Sequence, residues 1–410
     1  MKVEIPVDTA CTVLDTGDIE QVKLLEMKKA VKKQDKEKII KEALQHPIGS
    51  LPLNEIVHPK EKVVIVTSDS TRPFPTQVVL PYVVEELINS GISKDDITVM
   101  FAIGSHRHLS EQERKQLAGV EVSLVDSEET RMRYVGTTAR GTPVEVDERL
   151  LLADRVIVMG NVEYHYFAGF SGGAKAIVPG CASHKTICAN HSWMTHVQAQ
   201  AGVIRGNPVR EDIEEAASMV KVDFIVNVVL NTEKEIVSCY AGDVTEAHRK
   251  AVLDLKNMYA CPILHQYDIV VVADGGYPKD RNLYQTQKAL ANAIYAIKEG
   301  GTIILVGGCR EGYGNPVFET WMKKYHSPDE MICEIQKHFV LGGHKAVSFA
   351  KAKKKADLYL VSSGIDVSDT FIKGRRNLQD TFDEVIKCKN SPSVLIMPHG
   401  GSTLPVIRNN

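Results

Sequence analysis

The feature that most constrains this chain is a recurring unit. A short, almost wholly apolar run ends abruptly in glycine or polar residues. Lys62-Val-Val-Ile-Val-Thr67 runs into Ser68-Asp69-Ser-Thr-Arg72-Pro73, and Asp96-Ile-Thr-Val-Met-Phe-Ala-Ile-Gly104 into Ser105-His106-Arg107-His108. Arg155-Val-Ile-Val-Met-Gly160 runs into Asn161-Val-Glu-Tyr-His165. Later come Tyr267–Asp274, Thr302–Val306, Leu358–Val361 and Val394–Met397. Runs this short, apolar on both faces, fit strands buried in a parallel sheet, whereas a half-solvated strand would alternate. Helical stretches separate them, so the fold class is α/β with parallel-type sheets. We expect two α/β domains, residues 1–262 and 263–410, with an active-site cleft between them.

With 410 residues there is ample material for two cores. A net charge of −3 and 25% charged residues speak against a nucleic-acid binder. The strongest basic cluster, Lys351-Ala-Lys-Lys-Lys355, reads as a solvated helix face before a strand. No apolar stretch approaches membrane-spanning length, and Met1-Lys-Val-Glu-Ile-Pro6 has no signal-peptide core. The eight cysteines form no C-x-x-C pair and read as reduced thiols. The expectations are a cytoplasmic location and no nucleic-acid or membrane partner. A charged stretch from about Glu20 to Gln45 reads as helix, as do Val78–Asn89, Arg210–Val220 and Asp243–Met258.

Ligands of parallel sheets sit at the carboxyl ends of strands. There the sequence places Asp69 and Arg72, then His106, then His165, whose glycine-rich sequel contains Gly172, Gly173 and Lys175, followed by Pro179-Gly180 and His191. Glycines admit an anion close to the backbone and lysine adds a point charge, but the loop matches neither the Walker pattern nor G-x-G-x-x-G. In the second half, Tyr284 and Lys288 share one face of a helix start, with Gln285 beside them. Arginine, lysine and glutamine together suit a small carboxylate, and paired histidines suit acid–base work near neutral pH. His191 has no companion at zinc-site spacing, so a metal there would be held mainly by a cofactor.

These blocks resemble the nickel-dependent lactate racemase family over nearly the whole chain. The resemblance rests on Asp69-x-Thr-Arg72-Pro73, Gly104-Ser-His106-Arg107, His165-x-x-Ala-Gly-x-Ser-Gly-Gly-x-Lys175 with Pro179-Gly180, Asn190-His191, and Tyr284-Gln285-x-x-Lys288. It implies a racemase or epimerase of 2-hydroxy acids carrying a nickel pincer nucleotide, a pyridinium mononucleotide with two sulfur-bearing carboxylate groups, supplied by separate cofactor-building enzymes. By the same resemblance Lys175 carries that cofactor through a thioamide and His191 ligates nickel. His106 and His165 are the acid–base pair. Arg72, Gln285 and Lys288 hold the substrate carboxylate, Tyr284 lines the pocket, and Asp69, Arg72, Gly172 and Gly173 lie near the nucleotide. Lactate-acting members carry a tryptophan in the C-terminal half near the substrate. Here that region holds Gly342-Gly-His344-Lys345, so a larger or more polar 2-hydroxy acid stands beside lactate as the expected substrate. Two other readings are an NAD-type hydroxyacid dehydrogenase, which lacks its fingerprint here, and a non-enzymatic small-carboxylate binding module. Bound nickel with absorbance beyond that of protein separates both from the racemase.

Overall fold

The computed structural model describes residues 1–26, 35–231 and 233–407. The chain divides into two compact units, one of Ala30–Met258 and one of Met1–Lys29 with Tyr259–Asn410.

The unit of Ala30–Met258 is built on a six-stranded sheet. Its order is Ile236–Gly242, Phe224–Leu230, Arg155–Asn161, Val63–Ser68, Ile97–Ala102 and Ser123–Asp126. All neighbours are parallel except the edge pair Phe224–Leu230 and Ile236–Gly242, which is antiparallel. The apolar runs are buried on both faces for that reason. Ile65, Val99, Phe101, Ile157, Met159, Phe224 and Val226 share one core with the helices Lys36–Gln45 and Thr76–Asn89. From Val63–Ser68 the chain steps outward to Ile97–Ala102 and Ser123–Asp126. It then returns to Arg155–Asn161 on the other side and continues to Phe224–Leu230. The order therefore reverses between Val63–Ser68 and Arg155–Asn161. Loops leaving the carboxyl ends of two such strands diverge and open a crevice.

The other unit carries a second six-stranded sheet, ordered Lys373–Arg375, Ala356–Val361, Ile297–Val306, Tyr267–Ala273, Val394–Met397 and Val22–Leu24, with every neighbour parallel. Ile269, Val271, Ile304, Val306, Val394 and Ile396 form its core with Val3, Ile5 and Leu14 of the hairpin Lys2–Val7 and Ala10–Asp15. Its strand order reverses between Tyr267–Ala273 and Val394–Met397, where Asp274 bridges to His399.

The expected fold class holds. The expected domain 1–262 differs from the contacts at its start, because Val22–Leu24 hydrogen-bonds along Val394–Met397 and so joins the C-terminal sheet. The same pairing replaces the expected helix at Val22–Leu24. Helix begins only at Lys36, and residues 27–34 lie outside those described. The Lys351–Lys355 run closes the helix Gly343–Lys355, but it is not a uniformly solvated face. Burial pushes the Lys351 amine down to about 8, and Lys355 donates to the Ile294 carbonyl. Among the described residues, no helix is long and apolar enough to cross a membrane.

Candidate active site

The strand Val63–Ser68 ends in a tight polar turn. Asp69, 4% exposed, accepts from the Thr71 hydroxyl at 2.7 Å through Oδ1 and from His106 Nδ1 at 2.8 Å through Oδ2. Burial alone would raise the Asp69 carboxyl, but these two hydrogen bonds outweigh it and hold the group below its usual range. An ionised acceptor fixes the proton of neutral His106 on Nδ1, which leaves the Nε2 lone pair for chemistry. The sequence reading set Asp69 beside a nucleotide, whereas both of its oxygens are engaged by Thr71 and His106. His108 does not compete for that place. Its Nδ1 lies 3.3 Å from Asp126, which also receives the Leu109 N–H and Arg114.

His165 lies across the strand reversal. Tyr164–His165 forms a miniature hairpin with Gly169–Phe170. Gly169 has φ +76°, and a Cβ there would stand 2.0 Å from the Val203 carbonyl oxygen, so only glycine closes this turn. His165 Nδ1 accepts the Ala168 N–H at 3.2 Å. Burial, then the charges of Lys175 and Arg72, push its pKa well below the usual value, so the ring is neutral with its proton on Nε2. The two histidines thus present the same nitrogen in opposite protonation states: His106 a bare Nε2, His165 a protonated one.

Phe167 links His165 to His191, with edge-on ring contacts of 4.6 Å and 4.9 Å. His191 sits on the helix His184–Ser192, and its Nδ1 lies 3.0 Å from Asn190 Oδ1. Asn190 is in turn anchored on Asp212 and the Val209 carbonyl. Lys175 lies on the turn Gly173–Ala176. Burial, followed by the positive charges of Arg72 and Arg210, drives its amine well below the usual lysine range. A shift in that direction favours the uncharged, nucleophilic form of the amine. The segment after it, Pro179-Gly180, packs on the end of the His106 strand: Gly104 N–H and Ser127 Oγ both donate to the Gly180 carbonyl. Asp69, Arg72, His106, His165, Lys175 and His191 therefore gather around one strand reversal.

The glycine loop is not the open anion cradle that its composition suggests. Gly173 N–H donates to Asn227 Oδ1 at 2.9 Å. A Cβ on Gly172 would lie 2.8 Å from Val162 and 2.9 Å from Asn227 Oδ1. These glycines serve close packing against a neighbouring strand. The loop's carbonyls are also held from behind. Fully buried Arg210 donates to Ala168 and Phe170, and His248 Nε2 donates to Ser171 at 2.9 Å. Sequence reasoning missed Asn227, Arg210 and His248. Only Asn227 left a signal, as the single polar residue in the strand Phe224–Leu230.

In the other unit the helix Leu283–Ala296 starts at Asn282, whose side chain caps Gln285 N–H. Tyr284 and Gln285 are half-buried and Lys288 is exposed, one turn beyond Tyr284. Asp274, 2% exposed at the end of Tyr267–Ala273, is pushed up to about 7 by burial, opposed by Lys288, Lys279 and Lys345.

Two family models match the chain. One, described as lactate racemase N-terminal domain, covers residues 10–202, and the other, lactate racemase C-terminal domain, covers residues 264–402. The chain is 35% identical to the lactate racemase of Thermoanaerobacterium thermosaccharolyticum, over 73% of this chain and 72% of that protein. The chain belongs to the lactate racemase family. This family of isomerases also includes the lactate racemase of Lactiplantibacillus plantarum, 34% identical over 73% of this chain and 72% of that one. The solved lactate racemase apoprotein of T. thermosaccharolyticum superposes with a TM-score of 0.88, at 29% identity, covering 99% of this chain and 100% of that chain. A Thermotoga maritima protein shares the fold, with a TM-score of 0.66 at 21% identity over 91% and 98% of the two chains.

Proposed function

We propose that this family member inverts C2 of a 2-hydroxy acid with the help of a nickel pincer nucleotide joined to Lys175. The observation that carries the reading is the pair of histidines whose Nε2 atoms are in opposite protonation states, gathered with Lys175 and His191 at one strand reversal. The residues fit such a group. An amine held toward its uncharged form is the kind that can be acylated. Imidazole is a suitable nickel ligand, and Asn190 Oδ1 beside Nδ1 orients the His191 ring so that Nε2 is the nitrogen left for a metal. Among the described residues, no cluster of three or more His, Cys, Asp or Glu could hold a metal by itself. A metal at His191 would therefore draw its other ligands from the cofactor.

When bound, the cofactor supplies a reversible hydride acceptor for C2. The chain's own residues do the rest. The α-proton of a hydroxy acid is too weakly acidic for a histidine, but its hydroxyl proton is within reach once hydride leaves the same carbon. His106 takes that proton at Nε2, and Asp69 stabilises the imidazolium that forms, as a carboxylate behind a histidine does. His165 holds its proton at Nε2 toward the oxygen on the opposite side. The family resemblance assigns the substrate carboxylate to Arg72, Gln285 and Lys288, with Tyr284 in its pocket. The small 2-hydroxy acid and the cofactor-building enzymes are the partners, and the cytoplasm is the location.

The test is intact mass, nickel content and chiral product analysis of protein made together with the cofactor-building enzymes. A mass increase on the Lys175 peptide, nickel near one per chain and inversion of a 2-hydroxy acid are expected. Neither nickel nor added mass would overturn the cofactor assignment. Full racemisation by protein made without those enzymes would overturn the mechanism.

A further inference from the structure

One fully buried acid has no place in the mechanism above. Asp212 lies on the helix Pro208–Ser218, three residues after Val209 and four before Ala216. That is the stripe an amphipathic helix turns to the core. A carboxyl there costs free energy unless its oxygens are hydrogen-bonded. Other buried aspartates of this unit hold loop backbone: Asp126 accepts the Leu109 N–H, and Asp147 accepts those of Glu128 and Arg149. Asp212 instead collects side chains. The Thr138 hydroxyl donates to Oδ1, while the Thr142 hydroxyl at 2.8 Å and Asn190 Nδ2 at 2.7 Å donate to Oδ2. The two threonines close the turn between the strands Met132–Thr137 and Pro143–Asp147, where the Thr138 N–H donates to the Thr142 carbonyl. Asp212 is thus braced by a hairpin on one side and grips Asn190 on the other.

The grip decides which way Asn190 faces. Its Nδ2 also donates to the Val209 carbonyl at 3.2 Å. A carbonyl can only accept, so this end of the amide must be the nitrogen. Oδ1 then points at His191 Nδ1, 3.0 Å away. An amide oxygen has no proton to give and requires an N–H on the nitrogen it faces. A neutral His191 ring therefore carries its proton on Nδ1 and is unprotonated at Nε2. If Asn190 turned over, its NH2 would face the ring and the proton would move to Nε2. Phe167 packs edge-on against the same ring but has no polar side-chain atom to settle the choice.

We propose that Asp212 is a positioning residue: by fixing the orientation of the Asn190 amide it sets the tautomer of His191 and keeps Nε2 available to nickel. This rests on the reading of His191 as the nickel ligand. The tautomer itself is a property of the protein without cofactor, so the two can fail separately.

Nitrogen NMR of isotope-labelled histidines in the cofactor-free protein reads the tautomer, with the His191 signals identified by their loss in His191→Gln. In the parent, Nδ1 is expected to be protonated and Nε2 not. Asp212→Leu is expected to lose that preference, giving a mixture or the opposite tautomer. Asp212→Asn, which still offers an oxygen to Asn190, keeps it. Thr142→Val removes a different donor from the same carboxyl, so it lowers the melting temperature and leaves the tautomer unchanged. In protein made together with the cofactor-building enzymes, Asp212→Leu weakens nickel retention against a chelator by roughly 10–100-fold, the range for losing a group that orients a metal ligand. An Nε2-protonated His191 in the parent overturns the inference and needs no variant. So does a folded Asp212→Leu protein with the parent tautomer. A changed tautomer with undiminished nickel retention would instead count against His191 as the ligand and leave the Asp212 assignment standing.

Discussion

The two strand reversals have the same topology and opposite contents. Between Val63–Ser68 and Arg155–Asn161 the loops carry histidines, glycines and a lysine whose side chains are fixed by neighbours. Between Tyr267–Ala273 and Val394–Met397 they carry a buried carboxyl faced by lysines. The first is organised around where protons sit on individual nitrogens, the second around net charge. One scaffold supplies position and the side chains decide the task, which is why fold alone does not give function.

The comparison breaks most visibly at Lys175. Lys175→Ala is expected to abolish the mass increase, the bound nickel and at least ~10⁴-fold of the activity, while circular dichroism stays unchanged; the rate scale is that of losing a group central to the chemistry. At the other reversal the corresponding experiment is Asp274→Asn. A carboxyl near pKa 7 when folded and 3.8 when free costs stability as pH rises from about 4 to 7. The asparagine variant is therefore expected to be more stable at pH 8, by up to about 4 kcal/mol, and close to the parent at pH 4. Denaturant melts at the two pH values measure this, and an equal effect at both would refute it.

Asp69→Asn comes next, with kcat falling roughly 10–100-fold and the acid limb of the pH–rate profile moving, since a neutral amide neither fixes the Nδ1 proton nor stabilises an imidazolium. A fall in kcat without any change in the profile would reduce Asp69 to a structural role. Smallest is Ser110→Ala, outside both reversals. Ser110 and Glu113 form a capping box on the helix Glu111–Ala118, so a loss of about 1 kcal/mol is expected, with activity retained.

Much of this frame was legible in the sequence because strands buried on both faces must be apolar throughout. Val63–Ser68, Ile97–Ala102 and Arg155–Asn161 declare themselves, and with them the positions of Asp69, His106 and His165. The edge strand Val22–Leu24 did not. All three residues are only half-buried, and their pairing partner lies hundreds of residues away. The composition of the loops was visible too, but hydrogen-bond partners were not. Nothing in the sequence says that Asp69 faces His106 across 37 positions, that Gly173 spends its N–H on Asn227, or that Arg210 is wholly buried behind the loop.

The edge strand also sets an order of manufacture. Residues Ala30–Met258 form a contiguous unit, so every strand of its sheet has been synthesised before the last third of the chain exists. Val22–Leu24 has no partner until Val394–Met397 leaves the ribosome. That strand must wait through the synthesis of everything between Leu24 and Val394. A chain interrupted before residue 394 would hold a complete first sheet and a stranded edge with exposed backbone, the form that quality-control machinery and aggregation both recognise.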